Sequence, residues 1–343
     1  MNSRLLPGRL LMRKKSPRHA TAFAAAALLL LAIIPLGCAY LSRQATIAYL
    51  KINAQFSAKE IEIEVNQSFI ERYKDRVGIL ATFTVDKAMQ NPVARFFDGD
   101  LHLAGRAPEI GLPVVAEIAN AASEKEAVEL VHGAEGTGKP LKISGVWRIW
   151  PEHAESVKEE QGKALEAADS YEPGHVFEIH PVTRINHLNI FDSLRPVEGF
   201  LPGDARATFE EYQKVRCTLT VKPGMISMVT RQGLYNDVEF LMEITGDRQI
   251  KAPGGRFVIA SARDLKGNLI VERLRMVFAK GTPPERAVRR LKRGDCLHVC
   301  GLPRVDFSEI SRRVKNSAQD PGLLKGTLPY EIIIIGVYTK DAK

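Results

Sequence analysis

Cysteine is scarce in this chain: four in 343 residues, at positions 38, 217, 296 and 300. Past Cys38, an odd number remains, so at least one is unpaired. Cys296 and Cys300 stand four apart on a strand-like stretch, about 13 Å along it, too far to bridge. A disulfide-framed domain is therefore excluded. Cys296, His298 and Cys300 alternate on one face, but neighbours on that face are about 7 Å apart and cannot converge on one zinc ion. Tryptophan is scarcer still, two residues, both in the string Trp147-Arg148-Ile149-Trp150, and residues 201–343 have none. Several signatures of catalysis are missing. There is no Gly-x-Ser-x-Gly elbow, no His-Glu-x-x-His, no dinucleotide fingerprint and no P-loop. Gly133–Lys139 (GAEGTGK) lacks the Walker spacing and the hydroxyl that follows it. No internal repeat at a fixed period is present.

Charge is absent between Arg18 and Arg43, and acidic residues are absent from residues 1–41, which carry Arg4, Arg9, Arg13, Lys14, Lys15 and Arg18. Ala22–Leu36 is almost purely Ala, Leu and Ile. An apolar run of about 20 residues spans a bilayer as a helix, and the flanking cations place the rest of the chain outside the cytoplasm. The membrane partner is therefore read through residues 20–41, on the outer side of a bacterial cytoplasmic membrane. Three fates fit the segment. It is a retained anchor, a signal cut after Ala39, or a lipidation site at Cys38 in Leu36-Gly37-Cys38, where Pro35 departs from the aliphatic residue such a box wants.

The formal charge of +8 is unevenly spread. Residues 42–200 have 17 basic and 24 acidic side chains, and residues 201–343 have 25 and 16. Arg195–Asp204 (RPVEGFLPGD), with two prolines and two glycines, marks the change. The expected organisation is a signal or anchor at 1–41, an acidic α+β domain at 42–200, open to a barrel of its own, and a basic domain at 201–343. Short strand-like runs with turns between them (Gly78–Val85, Leu141–Trp150, His175–His180, Val238–Ile244, Phe257–Ala262, Leu269–Ala279, Tyr330–Tyr338) predict a mainly β fold with two small barrel-like domains. Helix is predicted over Pro113–Ala122 and Ser123–His132, where Val114, Val115, Ile118 and then Ala127, Val128, Val131 recur at three-to-four spacing.

Six of the eight histidines lie between His102 and His187. Asp98-Gly99-Asp100-Leu101-His102 gathers two carboxylates and an imidazole around a turn, and Glu109 follows. Asp98, Asp100, His102 and Glu109 are the candidate ligands for a divalent metal. In His175-Val176-Phe177-Glu178-Ile179-His180-Pro181, strand alternation puts Glu178 and His180 on one face. His153, Glu178 and His180 are the candidate acid–base groups, and a buried polar network with Arg148 is the structural alternative. The order Asp98-Gly99-Asp100, Gly105, Pro108-Glu109 also resembles the calcium-dependent thermonucleases, with shorter spacing at both intervals.

In the second half, Arg275–Ala279, Pro284–Leu291, Leu291-Lys292-Arg293-Gly294-Asp295 and Leu297-His298-Val299-Cys300-Gly301 follow one another. This series resembles the central part of bacterial single-stranded-DNA-binding proteins. There a strand, a short helix, a Leu-Lys-x-Gly-Asp turn and an alternating strand ending in Gly come in that order. Gly254–Phe257 and Tyr330–Tyr338 extend the resemblance over about residues 205–343. It implies an oligonucleotide/oligosaccharide-binding (OB) barrel. The aromatics on which that family stacks bases have no evident counterpart, because Phe240, Phe257 and Phe278 lie in apolar strands. Arg273, Arg275, Arg286, Arg289, Arg290, Lys292 and Arg293 form the candidate basic face, for a lipid headgroup, a polysaccharide or nucleic acid. The leading expectation is an exported, anchored binding or scaffolding protein without catalysis. The alternatives are a metal-dependent, nuclease-like hydrolase and a single-stranded nucleic-acid-binding protein.

Overall fold

The computed structural model describes residues 60–338 apart from 96, 155–157 and 234, and the anchor or signal expected at 1–41 lies outside them. Among the described residues no helix is long and apolar enough to cross a membrane.

Eighteen strands and five short helices make up the described chain. The strands begin with β1 (Glu60–Asn66), β2 (Gly78–Ala88), β3 (Leu101–Arg106), β4 (Val114–Ile118), β5 (Pro140–Ile149) and β6 (Lys158–Glu160). Next come β7 (Phe177–Ile185), β8 (Leu188–Asn189), β9 (Gly203–Asp204), β10 (Arg216–Lys222), β11 (Met225–Arg231) and β12 (Val238–Ile244). The last six are β13 (Ile250–Ala252), β14 (Gly255–Arg263), β15 (Leu269–Ala279), β16 (Cys296–Val305), β17 (Lys325–Thr327) and β18 (Tyr330–Val337). The helices are α1 (Gln67–Tyr73), α2 (Lys125–Ala134), α3 (Ala205–Lys214), α4 (Pro283–Val288) and α5 (Phe307–Asn316).

Two sheets close on themselves. In the first, β2, β3, β4, β7 and β5 pair in a ring, with β4 and β7 parallel at Val114↔Phe177 and Ala116↔Ile179. In the second, β12, β14, β15, β18 and β16 form the ring, with β15 and β18 parallel at Met276↔Ile332. Numbered within each barrel, both rings run 1-2-3-5-4-1, and each has a helix (α2 or α4) between its third and fourth strands. This is the five-stranded Greek-key arrangement of the OB barrel. The resemblance implies it for the second half; the first half has it too.

Alternation builds the first barrel. Along β2, Ile79, Ala81, Phe83 and Val85 are buried while Leu80 is exposed. Gly105 allows the wall to close, since a Cβ there would lie 2.1 Å from the Thr84 carbonyl oxygen and against the Phe83 ring. One end of the barrel is plugged by aromatics from outside the ring. Phe307 of α5 stacks on Trp147 at 4.5 Å, and Phe69 of α1 meets Phe177 edge-on. The expected helix over Pro113–Ala122 is a strand instead. Val114, Ala116 and Ile118 face inward on β4, because two β-branched residues and hydrogen-bonding partners on both sides outweigh a periodicity that also suits a helix. At α4 the caps are written in the sequence: the Thr282 hydroxyl accepts from the Glu285 amide, with proline in the first turn.

A third sheet, in the order β17-β10-β11-β1-β6, takes strands from both halves of the chain. The barrels meet through their outer faces, where Val77 and Val146 pack on Phe257, Val277, Leu302 and Ile333. Two buried arginines cross that junction. Arg304 donates to the carbonyls of Arg76, Val77 and Trp147 and pairs with Glu331, while Arg148 donates to the Pro303 carbonyl. Cys217, Cys296 and Cys300 are free thiols.

Candidate functional site

The inward residues of β3, β4 and β7 (Leu101 and Leu103, Ala116 and Ile118, Phe177 and Ile179) fix what points outward. His102, Glu117, Glu178 and His180 emerge on the outer face of the first barrel, with His102 directly across from Glu117 and Arg148 across from Glu178. This outer face is buried. Glu117 is 5% exposed, Glu178 1% and His180 3%.

Carboxylates and imidazoles alternate in a row from solvent to interior. Glu172 Oε1 lies 3.4 Å from His153 Nδ1, and its Oε2 lies 3.3 Å from His102 Nδ1. His102 Nε2 is 3.5 Å from Glu117 Oε2, which is 3.0 Å from His180 Nδ1. His180 Nε2 is 3.2 Å from Asp100 Oδ2. Both ring nitrogens of His102, and Nε2 of His175 and of His180, are buried without a geometrically sound hydrogen bond. A branch runs through Glu178, which meets His175 and His180 and forms an ion pair with Arg148. Arg148 also reaches Glu152 at 3.0 Å and Asn236 at 2.9 Å. At the solvent end, a cavity of about 310 Å³ is lined by Glu152, His153, Tyr171, Glu172 and Gln232.

The electrostatics follow from burying so many acids together. Burial opposes charge on His102, but Glu117, Glu172 and Asp100 outweigh it and hold the imidazole up at about 10. His180 is displaced upward for the same reasons, its partners being Glu117, Asp100 and Glu178. Burial raises Asp98 to about 6, with Asp100 adding to it, and pushes Asp237 well above the usual carboxylate range. Glu178 goes the other way: Arg148 and the two histidines overcome its desolvation. A row of acids and imidazoles with shifted affinities can pass protons or hold a cation.

Of the metal candidates, Asp100 and His102 fall in this cluster, Asp98 lies beside it with its Oδ1 accepting from the Asp100 amide, and Glu109 falls outside it. The Glu109 carboxylate is taken by the amide and hydroxyl of Thr82, because Ala107–Ile110 turns away after β3. All three acid–base candidates, His153, Glu178 and His180, belong to the cluster. Glu117 and Glu172 are functional candidates that sequence reasoning missed. Glu117 sits in the segment read as helix, and Glu172 in a loop whose proximity to His102 has no sequence signal.

The basic run does not form one face. Arg275 is drawn inward to Glu331 and Asp306. Arg286 pairs with Asp192, Arg289 with Glu285 and Arg293 with Asp247. Arg273 is exposed on β15. What remains is a different patch. The segment 245–254, joining the first two strands of the second barrel, is held to the end of α4 by Gln249, whose Nε2 donates to the carbonyls of Val288 and Leu291. Lys280 is joined to the same segment through Gly254. Arg248, Lys251, Lys280, Arg290 and Lys292 are all exposed there, without an ion pair among the described residues.

No protein-family model matches the chain, and neither does any curated protein. Among solved structures, the single-stranded DNA binding protein from Thermus aquaticus aligns with 83% of this chain and 96% of that one, at 11% identity and a TM-score of 0.20. The barrel assignment rests on strand order and not on that likeness.

Proposed function

We propose that this chain is a non-catalytic binding protein that holds an extended polyanion, single-stranded nucleic acid in the first instance, against the 245–254 end of its second barrel. The carrying observation is the set of five exposed cations without an ion pair among the described residues (Arg248, Lys251, Lys280, Arg290 and Lys292) on one end of an OB barrel, where the loop after the first strand is a usual ligand contact. With no aromatic in this patch, affinity comes from phosphate contacts and is steeply salt-dependent. Fluorescence anisotropy of a labelled single-stranded oligonucleotide, titrated with the full chain, tests this. Five contacts give a log–log salt slope of about −3.5, at about −0.7 per contact. Replacing the five cations with alanine abolishes most of the slope. No binding at low salt, or binding unchanged in that variant, refutes the reading. The proposed placement, on the outer side of a bacterial cytoplasmic membrane, rests on the sequence of residues 1–41. In that compartment the same cations suit an anionic polysaccharide or lipid headgroup, and competition against the oligonucleotide separates these ligands.

A second reading, a metal-dependent hydrolase, is favoured by one observation: Glu152, His153 and Glu172 line an open cavity beside the buried cluster. Turnover of a phosphodiester by the zinc-loaded chain, lost in His153→Ala, is its test.

A further inference from the structure

We propose that Asp100, Glu117 and His180, at the junction of β3, β4 and β7, bind one divalent transition-metal ion, zinc by their donor chemistry, with His102 as an outer contact to Glu117. Asp100, Glu117 and His180 each offer a ligand atom, and these atoms lie within 4.8 Å of one another. The ligand spacing suits such an ion. With metal–ligand bonds of about 2.0–2.1 Å, the edge of a tetrahedron is about 3.3 Å. His180 Nε2 to Asp100 Oδ2 is 3.2 Å, close to one such edge, and Glu117 brings an oxygen within 4.8 Å of the other two ligand atoms.

The second, independent observation is the pair of histidines themselves. His102 is 9% exposed and His180 3%, yet both nitrogens of His102 and Nε2 of His180 lack a hydrogen bond of sound geometry among the described residues. A buried imidazole held only by structure hydrogen-bonds at its polar atoms. Nitrogens that stand 3.2–3.5 Å from carboxylate oxygens without pointing at them are what a ligand shell leaves. Charge points the same way. Asp100 and Glu117 are each 5% exposed and have no Lys or Arg ion partner among the described residues. Arg148, the nearby permanent cation, is spent on Glu178 and Glu152. Two buried carboxylates whose partners are imidazoles, with no permanent cation among the described residues, are costly to bury, and a divalent ion offsets that cost. Asp100 is also oriented as an outer-sphere contact would orient a ligand, its Oδ1 accepting from the Asn120 amide at 3.3 Å. An imidazole and two carboxylates, with a fourth position open, suit zinc better than calcium or magnesium, which take all-oxygen shells.

The full 343-residue chain, stripped with a chelator and dialysed against zinc chloride, tests the proposal. The expected result is one zinc per chain by elemental analysis and a higher thermal midpoint on zinc addition. Cobalt substitution gives visible d–d absorption of a four- or five-coordinate N/O site. Glu117→Gln and His180→Asn each weaken zinc binding by about 100-fold or more, beyond the usual loss for an outer-sphere partner. His298→Asn, which breaks a pair with Glu239 on the second barrel, leaves it unchanged. Near-ultraviolet dichroism of Trp147 and Trp150 shows whether each metal-free variant is folded. For a variant that fails to fold, nitrogen-15 spectra of the wild-type histidines decide. A coordinated, singly protonated His180 supports the site, and imidazolium at His180 with zinc present overturns it. No stoichiometric zinc on the folded wild-type chain, or equal uptake by folded Glu117→Gln and His180→Asn, also overturns it.

Discussion

Replacing Arg304 with methionine removes a charge but leaves a side chain of similar length against Trp147, over which the guanidinium sits at 3.8 Å. Arg304 and Glu331 are both fully buried and 2.7 Å apart. Desolvation pulls the Arg304 guanidinium down to about 10, although Glu331 opposes that shift. Its charge is therefore tolerated at a cost, and the reward is connectivity. Three donated hydrogen bonds reach the carbonyls of Arg76 (3.3 Å), Val77 (3.1 Å) and Trp147 (2.9 Å), all in the first half of the chain. Each is worth about 1 kcal/mol net. Breaking the ion pair adds the penalty for a stranded buried charge, moderated because Glu331 keeps Arg275. The expected loss for Arg304→Met is about 3–5 kcal/mol, or about 10 °C in thermal midpoint for a cooperative body of this size. Glu331→Gln costs at least as much, since it leaves Arg304 with no carboxylate while Arg275 retains Asp306. The double variant then costs less than the sum of the two by about 1.5 kcal/mol or more. Urea unfolding of the full chain, followed by tryptophan fluorescence and far-ultraviolet dichroism, measures all three. A loss below about 1 kcal/mol for Arg304→Met, or strict additivity, refutes the view that this pair holds the barrels together.

Two further outcomes are expected. Gly254 has φ +85°, and a Cβ there would lie 2.5 Å from the Gly78 nitrogen, whereas at Gly267 (φ +90°) a Cβ meets nothing. Gly254→Ala therefore loses at least about 2 kcal/mol in urea unfolding against about 1 for Gly267→Ala, and equal losses contradict a close approach at Gly78. Asp306, which caps α5, is raised to about 6 by burial and by Glu331. The folded state then holds this proton more tightly than the unfolded one, so the contribution is present below about pH 4 and disappears as pH rises to about 6. Asp306→Asn removes up to about 3 kcal/mol of that slope; wild-type and variant stabilities that run parallel between pH 4 and 7 contradict it.

Local pattern carried some of this architecture and long-range pairing the rest. The order of strand, Thr282-capped helix, turn and alternating strand in 269–304 was legible because each step has its own chemistry: β-branched runs, a proline in the first helical turn, Gly294 at the turn. Glu178 and His180 were legible as one face because strand alternation has a fixed period. Glu117 was not, since Val114, Val115 and Ile118 fit a helix and a strand equally and only β3 and β7 beside them decide. Arg286 and Arg293 read as ligand cations because their partners, Asp192 and Asp247, stand 94 and 46 residues away. Glu172 reaches His102 from a loop on the far side of β5, and nothing in either segment announces the other.

The charge polarity of the two halves has a structural use and leaves two places of imbalance. Lys222 from the basic half pairs with Glu62 and Glu64 of the acidic half across β1, β10 and β11, Lys315 with Glu71, and Arg286 with Asp192. These contacts neutralise much of the opposition between halves and help join them, though exposed pairs such as Arg286–Asp192 add little each. Two places escape that cancellation. Among the described residues, Asp100 and Glu117 at the buried row pair with no arginine or lysine, and five cations at the 245–254 end of the second barrel pair with no carboxylate. A fold that pairs its charges across such distances elsewhere leaves these two sets for something outside the chain, a cation at one and an anion at the other. They lie on different barrels, so alanine replacement of the five cations leaves zinc uptake intact, and Glu117→Gln leaves oligonucleotide retention intact. Loss of both functions in either variant would mean that one surface serves both ligands.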